Sequence, residues 1–60
     1  MLYNIHVIRE FTGGTLEGLT IDQVIPRMSE KPEIGSTHEV KASFGSPYID
    51  TVIKVEKYHQ

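Results

Sequence analysis

Sixty residues without cysteine, carrying eight acidic and six basic side chains for a net charge of −2, make one small domain, 1–60, with no disulfide, thiolate metal site or cysteine nucleophile. The four Lys and two Arg are scattered and offer no basic face for nucleic acid. No apolar run approaches the roughly 20 residues of a membrane helix, and Met1-Leu2-Tyr3-Asn4 lacks a charged signal-peptide start, so the expected setting is the cytoplasm, with no membrane partner.

The first apolar run alternates: Tyr3, Ile5, Val7 and Phe11 are interleaved with Asn4, His6 and Glu10, and Ile8 and Arg9 break the pattern. Period 2 predicts a strand. Gly13-Gly14 then predicts a two-residue hairpin turn, because both central positions of a type I′ turn need positive φ. The second run carries Leu16, Leu19, Ile21 and Ile25. Thr20-Ile21-Asp22-Gln23 resembles a capping box, but Pro26 would end a helix after barely one turn, and β-branched residues favour a strand.

An unbroken hairpin register opposes Glu10 and Glu17 and mixes the two faces, an unfavourable arrangement. A bulge at Glu17-Gly18 repairs both faults. It sets Arg9 opposite Leu19, Val7 opposite Ile21, Ile5 opposite Gln23 and Tyr3 opposite Ile25. Tyr3, Ile5, Val7, Phe11, Leu16, Leu19, Ile21 and Ile25 then share one face, with Ile8 and Val24 intruding on the other. The structural roles therefore fall to Gly13 and Gly14 as the turn and Gly18 as the bulge.

From Pro26 to Ser36, two prolines, a glycine and several charges predict a connection, with Met28 and Ile34 plugging one end of the core. A second hairpin follows over 37–58. A Gly45–Tyr48 loop would pair Phe44 with Ile49, Ala42 with Thr51, Val40 with Ile53 and His38 with Val55, and on the other face Glu39 with Lys54 and Ser43 with Asp50.

The expected fold is all-β: a four-stranded antiparallel sheet of two hairpins, 2–25 and 37–58, joined by the connection 26–36. With no helix to cover its apolar face, the sheet must curl into a small barrel or pack against a second copy. The homodimer is favoured, because a chain this short buries only about 60% of its unfolded surface and is marginal alone. Val40, Phe44, Ile49 and Ile53 complete the predicted core or dimer face.

Chemistry is sparse. The bulged register sets His6 across from Asp22, but no nucleophile or pocket accompanies them, so a solvated cross-strand pair is the reading. His38 and Glu39 are adjacent in a strand, point to opposite faces and cannot act on one ligand. The three histidines show no metal-ligand spacing, and Gly13-Gly14 matches no phosphate-binding motif. No catalytic residue, metal or cofactor is expected, and the chain is read as a non-enzyme. Tyr48 and Tyr58 are candidate anchors for a partner.

The run Ile8-Arg9-Glu10-Phe11-Thr12-Gly13-Gly14-Thr15-Leu16-Glu17-Gly18-Leu19-Thr20 resembles the opening of small uncharacterised β proteins encoded by bacteriophages. Those proteins share an aromatic–Thr–small–Gly–Thr–Leu–small–Gly–Leu pattern. The resemblance covers about a quarter of the chain. It implies an accessory protein of the anti-defence class, such as anti-CRISPR or Hachiman-type inhibitors, that blocks a host bacterial protein by binding it. The alternative is a small barrel that binds nucleic acid or a nucleoprotein, the less expected partner.

Overall fold

The computed structural model describes residues 1–41 and 45–59. Four strands, β1 (Tyr3–Phe11), β2 (Thr20–Met28), β3 (Thr37–Val40) and β4 (Tyr48–Lys57), form one open antiparallel sheet in the order β2-β1-β4-β3. The all-β, two-hairpin architecture is as the alternation predicts. The centre belongs to β1 and β4, the longest pairing, and β2 and β3 lie at the two edges. Among the described residues no helix is long and apolar enough to cross a membrane.

The first turn differs from the two-residue form. Gly13 is extended, with φ −169, and only Gly14 has positive φ, so a type I′ turn does not form. A short 3-10 turn over Gly14–Leu16 takes its place. The Gly18 amide donates to the Phe11 carbonyl and the Phe11 amide to the Leu19 carbonyl, both at 2.9 Å. Two residues thus oppose one, with Gly18 at φ +89, the arrangement of a glycine-led bulge. This bulge sits opposite Phe11, not Glu10.

The β1–β2 register therefore differs from expectation by two residues. Arg9 pairs with Ile21, Val7 with Gln23, and Ile5 with Ile25, while Tyr3 faces Met28 beyond a second irregularity. A shift of two leaves each side chain on its own face, so Ile21 and Ile25 still point with Ile5 and Val7. Near that second irregularity Arg27 adopts φ 58, unusual for a residue with a Cβ. The strand runs through Pro26 and Arg27 to Met28, so the connection begins at Ser29 and not at Pro26.

The second hairpin departs by an odd number. Val40 pairs with Tyr48 and His38 with Asp50, where Ile53 and Val55 were expected, and Glu39 faces Ile49, not Lys54. An odd shift exchanges the faces of β4 relative to β3. The expected partners Ala42, Ser43 and Phe44 lie outside the described residues. Between His6 and Val7 the β1–β4 register also slips, leaving Ile53 as an extra residue between Lys54, opposite His6, and Val52, opposite Val7.

The buried core consists of Ile5, Val7 and Val52, with Tyr3, Ile25 and Val55 packed against it. Val52 and Val55 are three apart in a strand yet both pack inward, so the bulge turns Ile53 and Lys54 together to the opposite face. The segment after β2 is fastened beside β4: the Gly35 amide donates to the Val52 carbonyl at 2.7 Å, and the Val52 amide to the Ser36 carbonyl at 2.9 Å.

Candidate functional site

The sheet presents two faces of different chemistry. On the inner face, Ile5, Val7, Ile25 and Val52 floor a cleft of ≈ 370 Å³, walled by Met28 and by Glu30, Pro32 and Ser36 of the connection. Thr37, His38 and Asp50 close its β3 side.

Asp50, 5% exposed, is the one buried charged residue among those described. Burial of a lone carboxylate would be costly, and it persists because Arg9 lies directly across the β1–β4 ladder. Arg9 Nε and Nη2 donate to the two Asp50 oxygens at 2.8 and 3.0 Å. The guanidinium lies 3.9 Å from the Tyr48 ring centroid, and Tyr48 meets Phe11 edge-on at 5.9 Å. The hydrogen bonds from Asp50 raise the Arg9 pKa above its ordinary value, partly opposed by desolvation. The inner face is therefore largely apolar, with one internally neutralised ion pair, Gln23 opposite Val7, and Glu30 and His38 at the cleft walls.

On the outer face the shifted registers gather four aliphatic side chains. Ile8 lies in the row Asp22–Ile8–Thr51, Val24 in the next row with His6 and Lys54, and Ile49 opposite Glu10. Ile53 joins them through the bulge. Val24 and Ile53 are 49% and 48% exposed, and no residue of this face is buried. Four carboxylates, Glu10, Asp22, Glu39 and Glu56, surround the stripe, with Lys41 and Lys54 as the basic members.

His6 does not meet Asp22. It pairs with Val24 across β2, and its Nε2 lies 2.5 Å from Oε1 of Glu56 on β4. The Glu56 carboxyl is held below the usual range by the hydrogen bond from His6 and by Lys54, whose Nζ is 3.6 Å from Oε2. His38 lies opposite Asp50 and not Val55, and it is exposed at the cleft.

Of the positions expected on one apolar face, Tyr3, Ile5, Val7, Phe11, Ile21, Ile25 and Val40 lie on the inner face. Leu16 and Leu19 belong to the first turn and are 42% and 47% exposed. Ile49 and Ile53 lie on the outer face, and Phe44 is outside the described residues. Val55 lies inward as expected, whereas Val52 and Asp50, the partner of Arg9, are the inner-face members that alternation missed. The signal for the pair was Arg9 itself: a charge at an inward position needs a partner there.

Among the described residues, no cluster of three or more His, Asp or Glu side chains is arranged to hold a metal ion. No protein-family model, curated protein or solved structure matches the chain.

Proposed function

We propose that this chain is a non-enzymatic binding protein whose outer sheet face seals against a protein partner. One observation carries the reading: half-exposed Val24 and Ile53 join the partly buried Ile8 and Ile49 in an aliphatic stripe that no element of the described chain fully covers. Apolar area left in water and ringed by charge marks an interaction surface. The ring is net acidic, so the complementary partner is an apolar patch bordered by Lys and Arg. The same ring repels nucleic acid, whose backbone would meet carboxylates.

The resemblance of Ile8–Thr20 to phage-encoded proteins narrows the partner to a host bacterial protein, and the mode of action to blocking its surface.

The test is capture from a bacterium carrying defence systems, by wild type and by an Ile8→Lys/Val24→Lys variant with unchanged circular dichroism. The expected result is a host protein retained by wild type, released by salt and lost with the variant. Equal retention by both, or no retained protein, would overturn the reading.

A further inference from the structure

The chain has too much surface for its mass. A monomeric protein of 6.8 kDa is expected to expose about 3,950 Å², whereas this one exposes 4549 Å². Its radius of gyration, 12.3 Å, exceeds the roughly 10 Å of a compact chain this long. The extents, 36 × 21 × 15 Å, describe a slab. Stable domains place at least two layers around one core, and among the described residues the second layer is only the connection lying along part of the inner face.

We propose that a second copy of the chain supplies that layer, packed inner face to inner face, with Ile34 of each copy entering the cleft of the other. Three observations select a second copy as the occupant. The surplus area is of the order of the roughly 800 Å² per partner of a standard interface. The inner face is largely self-compatible, because the Arg9–Asp50 pair cancels its own charge and Glu30 is the one further acid among the described residues lining the cleft, whereas two outer faces, each bordered by four carboxylates, would repel. Ile34, 68% exposed, sits between Pro32 and Ser36, two residues that wall the cleft. A two-fold axis beside this segment brings each Ile34 to the other copy's cleft, whose ≈ 370 Å³ accommodates an aliphatic side chain.

The proposal concerns the face opposite the one assigned to a foreign partner, so the two are tested separately. Sedimentation and light scattering across a dilution series give the mass, and melting is followed at each concentration. Wild type should have twice the 6.8 kDa chain mass at micromolar concentration, with a Tm that rises with concentration. Ile34→Asp should weaken association by about a hundredfold or more, as expected when a charge enters an apolar cleft. Ile34→Ala should weaken it less, in the same direction. Ile53→Asp, on the outer face, should leave it unchanged. A chain-mass species at every concentration, association unaltered in Ile34→Asp, or dissociation caused by Ile53→Asp would each overturn the proposal.

Discussion

Arg9 grips Asp50 with two hydrogen bonds, at 2.8 and 3.0 Å, while its guanidinium lies 3.9 Å from the Tyr48 ring centroid. This link joins the two hairpins at the centre of the sheet, because β1 and β4 come from opposite ends of the chain. Replacing Arg9 alone with leucine leaves Asp50 buried and unpaired, which should destabilise the fold by about 3 kcal/mol or more. Replacing both with leucine should recover much of that loss. Urea unfolding of the two singles and the double gives the coupling directly; additive losses would show that the pair does not act as a unit.

The slip in the β1–β4 ladder makes neighbouring residues on β4 unequal. Val52 is 8% exposed and Ile53 is 48% exposed. Val52→Ala should lower stability by about 2 kcal/mol, the usual effect of emptying a small aliphatic site. Ile53→Ala should stay within about 0.5 kcal/mol, as for an exposed position. Equal losses in chemical denaturation would contradict the bulge.

Gly18 adopts φ +89, and nothing lies within 4 Å of where a Cβ would stand. Substitution there is opposed by backbone strain alone. Gly18→Val should therefore destabilise by about 2 kcal/mol, while Thr20→Val, two residues on in β2, should be nearly neutral or mildly stabilising. Thermal melts of the two variants decide the matter, and similar Tm values would argue against the left-handed bulge.

Glu56 carries a pH signature. Its carboxyl titrates below the usual glutamate range because the folded chain places His6 and Lys54 beside it. A carboxyl with a depressed folded-state pKa adds stability that is fully present above the unfolded value and is lost as pH falls through the folded one. Wild type should thus melt above Glu56→Gln near neutral pH, with the gap closing on acidification to below the glutamate range. A gap that persists at low pH would place its origin elsewhere than in the charge.

Local alternation determined much about this protein. Tyr3, Ile5 and Val7 beside Asn4 and His6 specify a strand whatever they pair with, and Pro26 forbids the competing helix, because these effects act over a few neighbouring residues. The glycines around the first turn likewise marked a chain reversal and a register defect. Loop conformation settled the pairings: Gly13 is extended, so the reversal runs through a 3-10 turn and the register moves by two. In β4 the decision was wholly tertiary. Which of Val52 and Ile53 faces inward depends on β1, some 45 positions away in the chain, through the demand of Arg9 for Asp50. Period-2 patterning cannot reveal a bulge that reverses it midway along a strand. That reversal is also what moved Ile49 and Ile53 beside Ile8 and Val24, so the aliphatic stripe of the outer face exists only once the two hairpins have docked.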